Sequence, residues 1–386
     1  MAATATTAAT TTKAGMRITD VVVHHLPGTR YPWVFLVITT ESGMTGLGQV
    51  SSGPQSAAVA AAASKLVPLL VGEDATRIEY LWHKLFAGFN SLGSMGFVSA
   101  LISGVDIALW DLRGKALDVP VYELLGGRFH DELPLYSNGW FGGCKTPDDY
   151  ARAAAKTVAE GHTVLKLDPF KDGHAYLSRY AAPYPIEAEP AATAIVAAIR
   201  EAVGGGATIL IDAHGRFDLP TAIRLATALV PYGIGWFEEP VPPENVSALK
   251  QFRDAVRVPV CVGERLYTRW EFREVLENRL AEYLMPDIIR TGGISEMKKI
   301  ATMAEAFYIP IAPHDATGPI TMAASAQVMA TTPNFFRLEI AYSELPHYNA
   351  ALDPPLDLRG GVYHLFDRPG IGHDLQADYI AQAIPY

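Results

Sequence analysis

The chain has 386 residues, a net charge of −10 and two cysteines. Its length exceeds that of a usual single domain and favours one large domain beside a smaller one. The acidic balance argues against a nucleic-acid partner, and no apolar run is long enough to span a membrane. Cys144 and Cys261 cannot form a disulfide framework and have no metal-ligand spacing. We therefore expect no nucleic-acid and no membrane partner, and a reducing, cytoplasmic location.

The sequence of the first third of the chain predicts a short tail followed by a small α+β domain. Residues 1–14 are rich in Ala and Thr and lack the features of a targeting peptide, so we interpret them as a disordered tail. Three strands are predicted by the apolar runs at 21–23, 33–39 and 46–50. Helices are predicted at 57–70, 76–86 and 99–115, with a short one near Leu124.

The most informative stretch is 209–217, ILIDAHGRF, in which an apolar run ends at Asp212 and His214 follows two positions later. Side chains on a strand repeat every two positions, which predicts that Asp212 and His214 point the same way. The alternative interpretation is that Asp212 only caps the next helix.

Two more carboxylates recur at the same interval. Glu238 lies 26 residues after Asp212 (238 − 212), Glu264 lies 26 after Glu238 (264 − 238), and each closes an apolar run. Equal spacing indicates a repeating βα unit, and in a parallel barrel the strand ends meet at one mouth. Three carboxylates there would repel one another unless a cation neutralised them. Hard oxygen ligands favour Mg²⁺, whereas the alternative, three solvated rim charges, does not explain the matched spacing.

The C-terminal half continues the pattern. Asp287, His314 and Glu339 follow or end three further strand candidates. Neighbouring strand ends can join Asp287 to His314 as a carboxylate–imidazole pair, which fixes the tautomer of the ring and raises its basicity. Taken alone, His314 can also be interpreted as a satisfied core histidine.

Two earlier strands are predicted at 133–138 and 163–168, the second carrying Lys166 and Asp168. Lys166 is a candidate for holding a substrate carboxylate or an oxyanion; alternatively it pairs with Asp168. Asp212 lies 44 residues after Asp168 (212 − 168), against 26 for the later units. The excess, residues 170–187, is predicted to lie over the barrel mouth, where it closes the pocket or contacts a neighbouring subunit.

The order and spacing of these residues resemble the enolase superfamily, mandelate racemase subgroup, from about Met16 to the C-terminus. The residues that carry the resemblance are Asp212, Glu238, Glu264, Asp287, His314 and Glu339. The resemblance implies an α/β fold with a modified (β/α)7β TIM-type barrel at 131–345. It also implies an α+β capping domain at 15–130, on which the C-terminal segment 346–386 packs back.

Other stretches resemble the sugar-acid dehydratases of the subgroup, of the gluconate and galactonate type. These stretches are 166–170, 212–216 and 317–320. Most of the subgroup has a second lysine base where this chain has Asp168. Racemisation needs a base on each face of the substrate, so this departure favours a dehydratase. The alternatives are a racemase, epimerase or cycloisomerase using the same enolate, and a catalytically silent binding protein.

The chemistry expected of a sugar-acid dehydratase assigns a role to each candidate. Mg²⁺ neutralises the charge that develops when the C2 proton of an aldonate or aldarate is removed. His314, oriented by Asp287, removes that proton, and His214 protonates the departing 3-hydroxyl, although the two roles can be exchanged. Glu339 shares a proton with the substrate if its pKa is raised. The expected ligands are Asp212, Glu238 and Glu264; the expected catalytic residues are His314, Asp287, His214, Lys166 and Glu339.

The resemblance also implies a homo-oligomer, from dimer to octamer, and a 2-keto-3-deoxy product. It makes 104–115 the signature helix of the family, with Asp106, Trp110 and Asp111 bonded at the domain interface. Two loops of the capping domain, 24–33 and 49–53, are expected to cover the barrel mouth. His25, Arg30, Tyr31 and Trp33 either read the substrate there or are simple loop surface.

Overall fold

The computed structural model describes residues 15–28, 31–89, 93, 95–170, 184–315 and 317–384. The predicted tail at 1–14, Arg30 and most of the predicted insertion, 171–183, lie outside the described residues. Within the described ranges, no helix has both the length and the apolar composition needed to cross a bilayer.

The N-terminal part is a three-stranded antiparallel sheet covered by helices, as predicted. The strands are β1 Ile18–Leu26, β2 Trp33–Thr40 and β3 Thr45–Ser52, in that order across the sheet. The helices are α1 Ser56–Ser64, α2 Val67–Leu70, α3 Ile78–Gly88, α4 Phe97–Leu117 and α5 Val121–Leu124. The single helix predicted at 57–70 is wrong, because Pro68 has no N–H with which to continue the helical ladder and the chain forms two helices instead.

The long helix α4 lies directly against β3. A Cβ on Gly48 would lie 2.0 Å from the carbonyl oxygen of Gly104, and one on Gly46 would lie 2.1 Å from that of Ala108. The strand and the helix can approach so closely only because both strand positions are glycine. This contact fixes the position of α4, whose other face meets the barrel.

The second part is a closed barrel of parallel strands, which confirms the predicted fold. Its strands are β4 Leu133–Asn138, β5 Val164–Leu167, β6 Thr208–Asp212, β7 Trp236–Glu238, β8 Val260–Val262, β9 Tyr283–Leu284 and β10 Leu338–Ala341. Each of β4 to β8 pairs with the next strand along the chain, and β10 pairs with β4. Ile311 bridges to Leu284 on one side and to Phe335 on the other, which closes the ring.

Helices surround the barrel strands. They are α6 Pro147–Ala159, α7 Glu189–Val203, α8 Leu219–Leu229, α9 Val246–Ala255, α10 Thr268–Glu277, α11 Ile288–Thr291, α12 Gly293–Ala306 and α13 Pro319–Met329. Single turns of 3-10 helix occur at Ile186–Ala188, Gly204–Gly206, Val230–Tyr232 and Tyr342–Glu344. One correction concerns β10, which continues to Ala341, so that Glu339 lies inside the strand and not at its end.

The C-terminal segment returns from the barrel to the N-terminal sheet. Its elements are α14 Leu345–Ala351, β11 Leu352–Asp353, β12 Leu358–Arg359, β13 Val362–Tyr363, β14 Asp374–Leu375 and α15 Ala377–Ile380. The Tyr379 hydroxyl donates to the carbonyl of Pro27, and the Ile384 amide donates to that of His25. The predicted contact of this segment with the capping domain is present, whereas the exact domain boundaries stay predictions.

The interface between α4 and α12 contains the predicted polar contacts. The Asp106 carboxylate accepts the Ser295 amide at 3.0 Å and the Ser295 hydroxyl at 2.6 Å. The Trp110 indole donates to the same hydroxyl at 2.9 Å. Asp111 accepts the amides of Leu47 and Ile371, which ties the sheet and the C-terminal segment to α4.

Candidate active site

The charged side chains at the barrel mouth form a layer directly above the apolar interior. Three of them lie two positions after a buried interior residue: Lys166 after Val164, Asp212 after Leu210, and Glu238 after Trp236. Because side chains alternate along a strand, both members of each pair point into the barrel. In each pair the charged residue lies nearer the carboxyl end of its strand. The charged side chains therefore line the barrel mouth, and the apolar ones fill the interior below it.

Lys166 lies at the centre of this charged layer. Its Nζ lies 3.0 Å from Glu238 Oε1, 2.9 Å from Glu339 Oε1 and 3.6 Å from Asp212 Oδ2. Burial lowers the pKa of the ammonium, but these carboxylates outweigh burial and raise it well above its usual value. Pairing with Asp168, the alternative left open by the sequence, is therefore wrong, and Lys166 serves the carboxylate cluster.

The three predicted metal ligands lie on neighbouring strands. Asp212 and Glu238 are paired in register on β6 and β7, and Glu264 lies in the turn after β8. Burial and the nearby Asp212 carboxylate raise the pKa of Glu238 well above its usual value. Among the described residues, no three carboxylate, imidazole or thiolate groups are close enough together to coordinate one ion. The metal-binding role of these three residues stays a prediction.

His314 and Asp287 form the predicted pair. His314 Nδ1 lies 2.8 Å from Asp287 Oδ2, and the two residues form a parallel bridge between neighbouring segments. The other ring nitrogen, Nε2, lies 2.9 Å from Glu264 Oε2 and faces the mouth. Burial lowers the pKa of the ring, but Glu339 and Glu264 outweigh burial and raise it well above its usual value. The imidazole is thus oriented, with its reactive nitrogen toward the carboxylate cluster.

His214 reaches the cluster from the other side, but not by strand alternation. The strand β6 ends at Asp212, and His214 lies in the following turn with φ of 52°. The argument that both side chains share a strand face is therefore wrong, although His214 Nε2 still lies 3.3 Å from Asp212 Oδ2. The His214 amide donates to Asp212 Oδ1 at 2.8 Å, which closes the turn. Burial lowers the pKa of the ring, but Asp212 and Asp168 raise it above its usual value.

Glu339 accepts hydrogen bonds from several sides. Besides Lys166, its carboxylate accepts the Asn138 amide at 3.0 Å and the Tyr136 hydroxyl at 3.2 Å. Burial raises its pKa, but Lys166 and His314 outweigh burial and lower it. The condition for proton donation, a raised pKa, is thus not met. Sequence reasoning also missed Asn138 and Tyr136 as partners, although strand alternation places both on the interior face of β4.

Arginines outside the predicted set complete the charge balance. The Arg265 guanidinium contacts the carboxylates of both Glu239 and Glu264. Arg290 donates to the carbonyl oxygen of Glu264 and lies 3.6 Å from Asp287 Oδ2. These arginines adjoin site positions in the sequence, which is the one signal that pointed to them.

The capping domain reaches the barrel through β3. Gln49 is fully buried, donates to the carbonyl of Thr317 at 2.9 Å and accepts the amide of Ile320 at 3.2 Å. Trp33 is only 3% exposed, and its ring packs against Tyr348 and Tyr379. Trp33 is therefore a core residue, and its interpretation as loop surface is wrong.

Comparison with known proteins gives matches over nearly the whole chain. Residues 6–126 match the model of the mandelate racemase/muconate lactonizing enzyme N-terminal domain, and residues 149–379 match that of the enolase C-terminal domain-like family. The chain is 34% identical to a D-xylonate dehydratase of Haloferax volcanii, over 94% of this chain and 88% of that protein. It is 38% identical to a D-galactonate dehydratase of Verminephrobacter eiseniae, over 93% and 92%.

Solved structures agree with the sequence matches. An enolase superfamily member from Salmonella Typhimurium superposes with a TM-score of 0.89 at 30% identity, covering 95% of this chain and 98% of that one. A mandelate racemase/muconate lactonizing enzyme from Sulfitobacter sp. gives 0.88 at 32% identity, over 95% and 96%. The order and spacing of the site residues also resemble those of this family. The chain belongs to the mandelate racemase/muconate lactonizing enzyme family of the enolase superfamily.

Proposed function

We propose that the protein is a Mg²⁺-dependent hydro-lyase that converts a sugar acid, an aldonate or an aldarate, to its 2-keto-3-deoxy derivative. One observation carries the proposal: two imidazoles reach the carboxylate cluster from different strands, His314 at Glu264 and His214 at Asp212. Elimination of water needs a base for the C2 proton and an acid for the 3-hydroxyl. The relatives named as D-xylonate and D-galactonate dehydratases support the same reaction class.

The donor chemistry of the mouth fits a hard divalent cation. The carboxylates of Asp212, Glu238 and Glu264 would hold it, and all three are buried. In this structure the Lys166 ammonium lies against Asp212 and Glu238, and the rings of His214 and His314 contact Asp212 and Glu264. When bound, the metal would supply a fixed positive charge that stabilises the charge developing on the substrate carboxylate.

The base assignment follows from the geometry of His314. Its Nδ1 is held by Asp287 at 2.8 Å, so Nε2 is the nitrogen that faces the mouth. We assign to Nε2 the removal of the C2 proton. Asp287 keeps the ring oriented and stabilises the imidazolium that results.

His214 then acts as the acid in this proposal. Its Nε2 faces the same cluster, where it would protonate the departing 3-hydroxyl so that water leaves. The enol product becomes the 2-keto-3-deoxy acid when C3 takes up a proton. Lys166 and Asn138 hold the Glu339 carboxylate from two sides. We assign Lys166 to binding the substrate carboxylate, and Glu339 to holding the Lys166 ammonium in position.

The racemase alternative needs a second base on the side of β5. There the chain has Asp168, which is paired with Arg216 and His214. An ion-paired carboxylate with a lowered pKa is a poor base for a carbon-bound proton. The observation favours elimination over racemisation.

A panel assay tests the proposal directly. Purified protein with Mg²⁺ is incubated with five- and six-carbon aldonic and aldaric acids, and 2-keto-3-deoxy product is measured. We expect one or a few acids to react, and both EDTA and His314→Asn to abolish the reaction. Solvent deuterium exchange at C2 without loss of water would contradict the dehydratase assignment and favour the racemase.

We further propose that the enzyme is a homo-oligomer, from dimer to octamer, that works in the cytoplasm. The family supports the assembly, and the two cysteines, neither in a disulfide, support a reducing compartment. Native mass spectrometry of the purified protein tests the assembly, and a monomer at micromolar concentration would contradict it.

A further inference from the structure

The region of interest is the junction of the loops that follow β5 and β6. Asp168 is the first residue after β5, and His214 lies in the turn after β6, the neighbouring strand. Asp168 Oδ2 lies 3.2 Å from His214 Nδ1, while His214 Nε2 lies 3.3 Å from Asp212 Oδ2. The two ring nitrogens therefore face different partners, one away from the mouth and one toward it.

Arg216 holds Asp168 in place. The guanidinium is 4% exposed, and its Nη2 contacts Asp168 Oδ2. Its Nε donates to the carbonyl of Ala213 at 3.0 Å, and Nη1 donates to that of Phe170 at 3.4 Å. Arg216 thus connects the backbone of one loop to the carboxylate and backbone of the other.

Asp168 and Arg216 both lie within reach of His214 Nδ1. Arg216 Nη2 lies 3.2 Å from His214 Nδ1, but two N–H donors cannot hydrogen-bond to each other. Of these two neighbours, only the Asp168 carboxylate can accept the Nδ1–H of a doubly protonated ring. The second proton is then on Nε2, the nitrogen that faces the barrel mouth.

We propose that Asp168 is a positioning residue for the acid step: it accepts the Nδ1–H of His214 and thereby directs Nε2–H at the leaving hydroxyl. Arg216 keeps the Asp168 carboxylate at the required position. This inference rests on the proposed function, because it assigns a partner to the acid of the same elimination. Asp168 itself touches no reacting atom.

The step balances without a further reagent. The electron pair left at C2 forms the C2=C3 double bond, and the C3–O bond breaks. The oxygen takes the Nε2 proton of His214 and leaves as water, while the N–H bonding pair stays on Nε2. Asp168 keeps its hydrogen bond to Nδ1–H throughout and takes up no proton.

A purely structural role for Asp168 is the competing interpretation. Its Oδ1 accepts the Phe170 amide at 2.9 Å, which orders the start of the following loop. Loss of that structural role would slow the reaction equally for every leaving group. Loss of the positioning role would slow the release of a leaving group that needs a proton more than the release of one that does not.

The experiment compares two leaving groups. The substrate found in the panel and its 3-deoxy-3-fluoro analogue are given to wild type, Asp168→Ala and Asp168→Asn, since fluoride departs without being protonated. For Asp168→Ala we expect kcat for loss of water to fall by about 10–100-fold, with KM and kcat for fluoride release within about threefold of wild type. Asp168→Asn keeps a single oxygen in place of the two that face Phe170 and His214. When that oxygen is turned toward His214 it still accepts the Nδ1–H, so this variant should restore part of the lost rate.

Asp218→Ala is the matched control. Asp218 lies in the same loop as His214 and caps α8, accepting the amide and the hydroxyl of Thr221, both at 2.9 Å. Both bonds lie at the start of α8, so removal of Asp218 should lower the melting temperature and leave the ratio of the two rates unchanged.

Nitrogen-15 NMR of the histidines gives a readout that does not depend on turnover. We expect a hydrogen-bonded Nδ1–H resonance, assigned by its absence in His214→Asn, that is lost in Asp168→Ala. An equal loss of both rates, no loss of either, or an unchanged resonance would overturn the positioning role alone. A wild type that releases neither water nor fluoride from any sugar acid would overturn the proposed function and this role with it.

Discussion

The Lys166 ammonium lies 2.9 Å from the Glu339 carboxylate, although β5 and β10 are not neighbours and β4 lies between them. The same ammonium also contacts Asp212 and Glu238, so Lys166 links Glu339 to both of these carboxylates across the barrel mouth. The positive charge of Lys166 therefore neutralises the same carboxylates that would bind a divalent cation. This relationship gives the first prediction.

Replacement of Lys166 by Met should destabilise the metal-free protein strongly. Removing one partner of a buried charge cluster costs about 3–5 kcal/mol, because the remaining carboxylates stay buried and repel one another. Saturating Mg²⁺ should recover part of this loss, since a bound cation stabilises the folded state. Urea unfolding with EDTA and with Mg²⁺ measures both quantities.

Lys298→Met is the control for this comparison. Lys298 donates to the carbonyl and the hydroxyl of Thr331, at 2.7 and 2.8 Å, and has no carboxylate of the mouth as a partner. Its stability loss should be the same with and without Mg²⁺. If Lys166→Met behaved in the same way, the metal would not bind at these carboxylates.

His314→Asn should abolish most of the turnover and leave metal binding intact. A positioned base contributes about 10²–10⁴-fold to the rate, and kcat should fall by that amount. Steady-state kinetics gives the loss, and isothermal titration with Mg²⁺ gives the affinity. A near-native kcat would rule out His314 as the base.

His373→Asn separates this effect from the loss of any buried histidine. His373 is 2% exposed and bonds to the Tyr363 hydroxyl at 2.8 Å and to the Pro354 carbonyl at 2.7 Å, in the C-terminal segment. We expect a lower melting temperature with an unchanged kcat.

Stability should depend on pH through Asp106. Burial raises the pKa of this carboxyl from 3.8 to about 7, against the opposing hydrogen bonds of Ser295. Between these values the folded state holds a proton that the unfolded state has lost, so stability falls as pH rises, by up to about 1.4 kcal/mol per unit. Asp106→Asn mimics the protonated acid and should gain stability relative to wild type from pH 5 to pH 8. Parallel unfolding profiles over this range would contradict the raised pKa.

The contact between Gln49 and Gly318 should behave as a coupled pair. A Cβ on Gly318 would lie 2.0 Å from Gln49 Nε2, so Gly318→Ala alone should be destabilising. Gln49→Ala alone leaves the buried Thr317 carbonyl and Ile320 amide without their partner, at about 1–3 kcal/mol. In the double variant the clash is gone, so the measured loss should be smaller than the sum of the two. Additive losses in urea unfolding would contradict the close packing.

Sequence periodicity predicted the barrel because each βα unit repeats the same local pattern. It placed Asp212 and Glu238 correctly, since side-chain alternation and strand ends are local properties. The contact of Asp287 with His314 was also predictable, because it joins neighbouring strand ends.

Other features depend on tertiary packing and could not be read from the spacing. The left-handed φ of His214 was hidden, because residues other than glycine adopt that conformation only rarely. The lowered pKa of Glu339 depends on Lys166 and His314, which converge on it from distant strands. The break at Pro68 was visible in the sequence but was outweighed by the apolar pattern around it.

The hydrogen bond from the Ile384 amide to the His25 carbonyl, with that of Tyr379 to Pro27, joins the end of the chain to the first loop of the capping domain. A chimera that receives only residues 24–33 from a relative should therefore not acquire the substrate preference of that relative. A graft of that loop also needs the matching residues from Tyr379 to Ile384, whose hydrogen bonds hold the shape of the loop.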